Sequence, residues 1–172
     1  MLTPAGTADA HYTLASRHPP YNVYGTPWPI PGAGLVSDCG DVISVDHTGA
    51  LSRVTQTFRY ANGSAIHGHA IDKGQEYLYS ADLRGDKIWA HQVYANGYVK
   101  EIGAMGTTAG ANPRHLATHP GGKYIYAVLE HANELAEYKL DPTTRLPVAE
   151  SVRTWGLAPE GMYVPTPRGR GG

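Results

Sequence analysis

The sequence predicts an all-β protein, and more narrowly a β-propeller, on three observations. Short aromatic and aliphatic runs have the length of strands, as at residues 77–81 and 124–128. The 21 Gly and 13 Pro separate such runs along the chain, and no stretch shows apolar residues at helical spacing for three turns. One β-rich unit occurs twice, at residues 66–93 and 113–140, with a spacing near 47 residues that is typical of propeller blades.

The repeat is defined by identical or similar residues at a shift of 47 positions. The matched pairs are Ala70 and Ala117, Gly74 and Gly121, Tyr77 and Tyr124, Leu78 and Ile125, Tyr79 and Tyr126, and Ile88 and Leu135. Because turn residues match as well as strand residues, the two copies predict the same order of elements.

Each copy predicts four strands. The first covers residues 68–71 or 115–118, and a turn leads to a second strand that starts at Tyr77 or Tyr124. The third strand covers residues 87–93 or 134–140, and the fourth follows the turn at residues 95–97 or 142–144. An earlier partial copy, at residues 42–46 and 51–58 around a turn, matches the third and fourth strands. We therefore predict about three blades.

An arc of about three blades leaves both of its ends open. Propellers usually close with 4 to 8 blades, and closure removes exposed strand edges. We therefore expect the chain to self-associate through its open blade edges. We assign residues 12–161 to the partial propeller, residues 1–11 to an N-terminal extension, and residues 162–172 to a disordered tail rich in Pro, Gly and Arg.

Composition restricts the classes of partner. Lys and Arg number 14 against 15 Asp and Glu, a balance that favours neither nucleic acid nor an anionic membrane, so the expected partner is a small molecule. Cys39 is the single cysteine, which excludes an internal disulfide or a thiolate metal cluster. Neither a signal-peptide pattern nor an apolar run of about 20 residues occurs, so we expect a cytoplasmic protein.

The repeat also selects candidate functional residues. The 47-residue shift places His67 on Arg114, just before the innermost strand of each blade, where propellers line their central channel. Glu130 ends the second strand of the later copy, where Leu83 stands in the earlier one. Each has an ordinary structural interpretation: the His satisfies a backbone group, the Arg pairs with a surface carboxylate, and the Glu is solvated at a turn. Their equivalent placement favours a shared site.

Histidine pairs offer a competing hypothesis. His67 and His69 are two apart on a strand and should share a face, as should His115 and His119 if their strand extends that far. Grouped imidazoles can hold zinc, which would make the protein a metal-dependent lactonase. Nine histidines make chance pairs common, however, and no regular ligand spacing accompanies them. We therefore predict no metal and no other cofactor.

Other motifs add little. Asp82 and Asp86 could supply oxygens to calcium, but both fall where turns favour Asp. The sequence contains no phosphate-binding glycine loop and no Gly-x-Ser-x-Gly motif, so nucleotide and serine-hydrolase functions have no support.

Several segments, in the same order along the chain, resemble the fungal 3-carboxy-cis,cis-muconate lactonizing enzymes. The segments are residues 19–24, 66–68, 77–83, 112–115, 129–133 and 140–148. The resemblance runs from about Tyr12 to Gly161 and covers less than half of the family's length, since those enzymes are seven-bladed propellers related to the 6-phosphogluconolactonase-like lactonases.

The resemblance implies a cofactor-free cycloisomerase of the protocatechuate branch of aromatic degradation, the β-ketoadipate pathway. Such an enzyme adds one carboxylate of an open-chain tricarboxylate across a conjugated double bond and delivers a proton to the neighbouring carbon. On this basis His67 and Glu130 are the expected proton-transfer residues, and Arg114 is the expected substrate clamp. The family draws another substrate-binding arginine from a later blade, to which we assign no residue here. The alternative is a non-catalytic propeller fragment that acts as a binding or assembly module.

Overall fold

The computed structural model describes residues 38–48, 50–159 and 161–162, together with the course of four short strands before residue 38. The strands are β1 (Leu14–Ala15), β2 (Tyr21–Gly25), β3 (Trp28–Pro29), β4 (Leu35–Val36), β5 (Cys39–Val45), β6 (Leu51–Arg59), β7 (Ile66–Ile71), β8 (Tyr77–Asp82), β9 (Lys87–Val93), β10 (Val99–Gly106), β11 (Pro113–Thr118), β12 (Tyr124–Leu129), β13 (Glu134–Lys139) and β14 (Arg153–Gly156). One turn of 3₁₀ helix covers Ala149–Ser151.

Twelve of these strands form three four-stranded antiparallel sheets. The strand orders are β1-β2-β5-β6 in blade 1, β7-β8-β9-β10 in blade 2 and β11-β12-β13-β14 in blade 3, while β3 and β4 form a separate hairpin. The first strands of blades 2 and 3, β7 and β11, lie against each other. The all-β propeller prediction, with about three blades present, is confirmed.

Most predicted strand boundaries agree with the structure. Strands β8 and β12 start at Tyr77 and Tyr124, β9 covers the predicted residues, and β5 and β6 are the third and fourth strands of blade 1. The first strands β7 and β11 begin two residues earlier than predicted, so they include the candidate positions 67 and 114.

The fourth strand of blade 3 follows residues 142–144, as predicted, but it does not begin until Arg153. The turn at residues 142–144 is fixed by Asp141, whose carboxylate accepts the N–H groups of Thr143 and Thr144. The chain then makes a single bridge to Leu140 through Pro147, which has no N–H to donate to a ladder. The edge strand β14 forms only after the 3₁₀ turn.

The core is divided between the two faces of blade 2. The cluster between blades 1 and 2 contains Val42, Phe58, Tyr60, Ile66, Leu78, Trp89, Val93 and Val99. The cluster between blades 2 and 3 contains Tyr79, Ile88, Ala90, Met105, Ala111, Ile125, Ala127, Leu129, Ala136, Tyr138 and Leu140. Leu78 and Tyr79 are successive residues of β8, one in each cluster, and both are fully buried. Burial of each such side chain contributes roughly 1.5–3 kcal/mol, so both blade interfaces stabilise the fold.

Some expectations fall outside the described residues. The extension at residues 1–11 lies there, as do residues 163–172 of the expected tail. In the part of the chain that the structure describes, no helix has the length and apolar character needed to cross a bilayer.

Candidate functional site

Two equivalent β-bulges carry His67 and Arg114. In each inner strand, one residue has no partner in the ladder and the register shifts around it. The flanking pairs are Ile66 with Asp82 and Gly68 with Ala81 around His67, and Pro113 with Leu129 and His115 with Val128 around Arg114. A bulge breaks the two-residue alternation of a strand and re-aims the side chain at the extra residue. Both blades therefore direct a polar side chain from the same position.

Gly68 allows the two inner strands to approach closely. A Cβ atom at this position would overlap the carbonyl oxygen of Arg114 and would lie 3.1 Å from the Cα atom of His115. Only glycine fits such a backbone approach without a shift of one strand. The side chains of the two bulge residues, His67 and Arg114, are brought within hydrogen-bond distance as a result.

Arg114 bridges the two proton-transfer candidates. Its Nε donates a hydrogen bond of 3.0 Å to Nε2 of His67, and its Nη1 lies 3.5 Å from Oε1 of Glu130. Arginine stays charged and its Nε always carries a hydrogen, so Nε2 of His67 must accept. This fixes His67 in this state as a neutral imidazole with its proton on Nδ1. The structure thus unites all three residues that the sequence selected.

The site is open to solvent on the side of the ion pair. The Arg114 and Glu130 side chains are 36% and 45% exposed, so a ligand can reach both. Glu130 lies one residue beyond the end of β12, in the turn that follows it. Its N–H donates to the carbonyl oxygen of Asn112 at 3.0 Å, as the N–H of Leu83 donates to Ala65 in blade 2.

His115 is a neighbour of the site, and the strand that carries it ends at Thr118, before it reaches His119. The His115 ring packs edge-on against the His67 ring, with centroids 5.0 Å apart and an interplanar angle of 80°. Burial lowers the pKa of His115, the Arg114 guanidinium lowers it further, and Glu130 opposes the shift. His119 lies beyond the end of β11, where its Nδ1 accepts the N–H of Gly121 within the turn.

The prediction that His67 and His69 share a face is also wrong. His69 is buried and its Nδ1 makes a 2.9 Å hydrogen bond with Oγ of Ser80, which also bonds the hydroxyl of Tyr60 in blade 1. His67 instead contacts blade 3, through Arg114. The bulge at position 67 is the cause, since it interrupts the alternation on which the prediction depended.

The two aspartates considered for calcium are occupied by N–H donors. Asp82 accepts from the backbone of Ala65 and Gly85 and from Nε1 of Trp89. Asp86 accepts from the backbone N–H groups of Gly110 and Asn112. Within the described residues, no group of three or more His, Cys, Asp or Glu side chains is disposed to hold a metal ion.

The geometry suits an anionic ligand that exchanges a proton. A guanidinium binds a carboxylate in bidentate fashion, and here it is flanked by a neutral imidazole and a carboxylate, each of which can hold or release a proton. A ligand carboxylate that accepts from Nε of Arg114 takes the place of His67 as its acceptor. Binding would then free the Nε2 lone pair of His67.

Comparisons with known proteins identify relatives of the chain. The family described as "Lactonase, 7-bladed beta-propeller" matches residues 33–162. A carboxy-cis,cis-muconate cyclase of Neurospora crassa is 41% identical over 140 residues, which are 81% of this chain and 37% of that protein. A 6-phosphogluconolactonase of Pectobacterium carotovorum is 30% identical over 126 residues, covering 72% of this chain and 37% of that protein.

A solved structure agrees in fold. The periplasmic gluconolactonase of Pseudomonas aeruginosa superimposes with a TM-score of 0.71 at 20% identity, over 88% of this chain and 43% of that one. The matched part of the chain spans 37–43% of the length of these three proteins.

Proposed function

The chain belongs to the seven-bladed β-propeller lactonase family, and we propose that it acts as a lactonizing cycloisomerase. Such an enzyme converts 3-carboxy-cis,cis-muconate to carboxymuconolactone without a cofactor. The observation that supports this proposal is the bridge that Arg114 makes between His67 and Glu130. It places one permanent cation between two groups able to transfer protons, which is what the cyclisation of a polycarboxylate requires.

In the proposed reaction, a carboxylate oxygen of the substrate forms a bond to one carbon of a conjugated double bond. The π electrons of that bond form a bond to a proton at the neighbouring carbon. This proton comes from solvent, so the lactone carries one negative charge fewer than the substrate trianion and is otherwise its isomer. Arg114 holds a carboxylate in bidentate fashion and offsets the charge that builds up on it. The trianion therefore binds where Arg114 now contacts His67 and Glu130.

Substrate binding also prepares the proton donor. In the free site, Arg114 Nε occupies the lone pair of His67 Nε2, so this nitrogen can neither take nor give a proton. A bound carboxylate draws Arg114 away and brings a negative charge close to His67, which favours the imidazolium form. His67 and Glu130, both adjacent to the bound substrate, then share delivery of the proton to carbon and its return from solvent.

The direct test follows the ultraviolet absorbance of 3-carboxy-cis,cis-muconate in the presence of the wild-type chain, His67→Ala and Glu130→Ala. We expect each substitution to lower kcat by about 10²- to 10⁴-fold, the usual contribution of a general acid or base. His47→Ala, at an exposed histidine in a distant turn, is the control that should keep the wild-type rate. If the wild type and both site variants are equally inert, the proposal fails. A parallel assay with 6-phosphogluconolactone distinguishes the two activities named among the relatives.

A second proposal concerns assembly, and its motivation is the outer face of blade 3. Val128, Leu135 and Trp155 pair with one another across three strands, on the face away from blade 2. The matching row of blade 2, which is Ala81, Ile88 and Met105, is buried against blade 3. Trp155 is 48% exposed. We propose that this face packs on the same face of a second copy of the chain and forms a symmetric dimer.

A further inference from the structure

The loop before β11 contains Asn112, which connects two turns that belong to different blades. On the side of blade 2, its N–H donates to Oδ1 of Asp86 at 2.9 Å and its Nδ2 donates to the carbonyl oxygen of Leu83 at 2.7 Å. On the side of blade 3, its carbonyl oxygen accepts the N–H of Glu130 at 3.0 Å, and its Oδ1 is 3.0 Å from Nδ1 of His131. All four of its polar groups therefore have partners.

The carbonyl bond of Asn112 is repeated at the equivalent position of blade 2, but its bonds to the neighbouring blade are not. Ala65 stands 47 positions earlier, where its N–H donates to Oδ1 of Asp82 and its carbonyl accepts the N–H of Leu83. Both of these bonds stay within blade 2, so Ala65 does not link two blades as Asn112 does. The extra bonds of an amide side chain occur in the blade that carries Arg114 and Glu130.

The pairing of Arg114 with Glu130 needs such support. Both side chains are partly exposed, and ion pairs in that environment contribute little free energy of their own. Their 3.5 Å separation must therefore be set by the backbone on either side. Arg114 lies two residues after Asn112, and Glu130 begins the turn that Asn112 holds by both its main chain and its side chain.

We propose that Asn112 is a positioning residue for the candidate site, and that it fixes the turn carrying Glu130 and His131 against the strand carrying Arg114. The inference rests on the proposed function for its catalytic consequence. Its structural part stands on the four hydrogen bonds alone. Because Nδ2 of Asn112 donates to Leu83, Oδ1 must face His131, and Nδ1 of His131 must be the donor.

The decisive variant is Asn112→Gly. Asn112 has φ of +54°, in the left-handed region that glycine adopts without strain, so this substitution keeps both backbone hydrogen bonds and removes only the side-chain links. Asn133→Gly is the matched control, because Asn133 has φ of +53° and its hydrogen bonds with the described residues are main-chain bonds, to Glu130 and from Leu157, which glycine keeps. The two variants therefore differ in one respect: Asn112→Gly removes the side-chain hydrogen bonds to Leu83 and His131, and Asn133→Gly does not.

Three measurements separate positioning from general stability. We expect kcat for 3-carboxy-cis,cis-muconate to fall about 10- to 100-fold in Asn112→Gly while KM changes less than about 3-fold, since Arg114 remains in place. Amide hydrogen exchange at Glu130 and His131 should accelerate, and nitrogen NMR should show His131 losing its Nδ1–H form. Asn133→Gly should match the wild type in all of these. His131→Ala removes the same link from the other side, and its effect on kcat should not add to that of Asn112→Gly.

Each outcome decides one claim. If exchange at Glu130 and the tautomer of His131 are the same in the wild type and Asn112→Gly, the side chain does not hold the turn and the inference is overturned. Faster exchange with an unchanged kcat overturns the positioning role. A wild-type chain that converts no substrate overturns the proposed function instead, and the exchange measurement still decides whether Asn112 holds the turn. If Asn112→Gly does not fold, His131→Ala supplies the same comparison.

Discussion

Nε of Arg114 donates a 3.0 Å hydrogen bond to Nε2 of His67, although the two residues come from different blades and are 47 positions apart. Each is the extra residue of a bulge at the same place in its inner strand. A repeated backbone feature thus brings two unlike side chains into contact. Because the contact uses the lone pair of His67 and Nε of Arg114, an anionic ligand that accepts from Nε has to replace it.

Replacement of Arg114 by Lys should weaken ligand binding although it retains the positive charge. Lysine has no planar fork, so it cannot hold a carboxylate in bidentate fashion. The loss of one charge-assisted bond is worth about 1.5–3 kcal/mol, so we expect KM for the tricarboxylate to rise about 10- to 100-fold. Steady-state kinetics measure this, with Arg84→Lys, at an exposed turn, as the control. An unchanged KM in Arg114→Lys would show that the guanidinium is not the clamp.

Gly68→Ala should separate the inner strands. The added Cβ would overlap the Arg114 carbonyl oxygen, and neither backbone can move without disturbing its ladder. We expect a loss of about 1–3 kcal/mol in the free energy of unfolding, which corresponds to a fall in Tm of several degrees for a chain of this size. Thermal unfolding checks this. Gly106→Ala is the matched strand control, because a Cβ there meets no atom within 4 Å. Equal Tm values for the two variants would contradict the close approach.

The sequence predicts the strands well because turn residues and strand residues repeat together, so that Tyr77 and Tyr124 mark the same boundary. It also selects His67 and Arg114, because equivalent positions in a repeat occupy equivalent places in space. A bulge cannot be recognised from the residues of a single strand, since it depends on the register with the neighbouring strand. For this reason the faces of His67 and His69 were predicted wrongly. The packing of His115 on His67 is a contact between blades, which spacing along one strand cannot reveal.

Stability should fall as the pH is lowered below about 6.5, because two histidines are buried between blades 1 and 2. Burial lowers the pKa of His69 from 6.5 to about 4, with His91 adding to the effect, and burial lowers that of His91 to about 4. The unfolded chain therefore binds more protons between pH 6.5 and 4, so the free energy of unfolding decreases with falling pH in that window. Each histidine contributes up to about 3 kcal/mol to this loss.

Urea unfolding at pH 7 and pH 4.5 measures the effect. His91 packs its ring on Phe58 and Tyr60, with centroids 5.1 and 5.3 Å away, so His91→Phe preserves an aromatic ring that cannot be protonated. This variant should lose less stability between the two pH values than the wild type. His47→Phe, at an exposed histidine, should keep the wild-type dependence. If wild type and His91→Phe lose the same free energy of unfolding between the two pH values, the buried ring does not cause the acid sensitivity.

The outer face of blade 3 should make the 172-residue chain self-associate. Trp155 lies beside Leu135 in the ladder and is 48% exposed, whereas the corresponding face of blade 2 is covered by blade 3. A charge placed in this apolar row would have to lose its hydration in the interface, so Trp155→Asp should shift sedimentation from dimer to monomer at micromolar concentration. Leu51→Asp is the control, since Leu51 is 53% exposed on β6 of blade 1, away from this face. A wild-type chain that sediments as a monomer at all concentrations would exclude the second copy as the partner of this face, and equal dissociation by both variants would place the interface elsewhere.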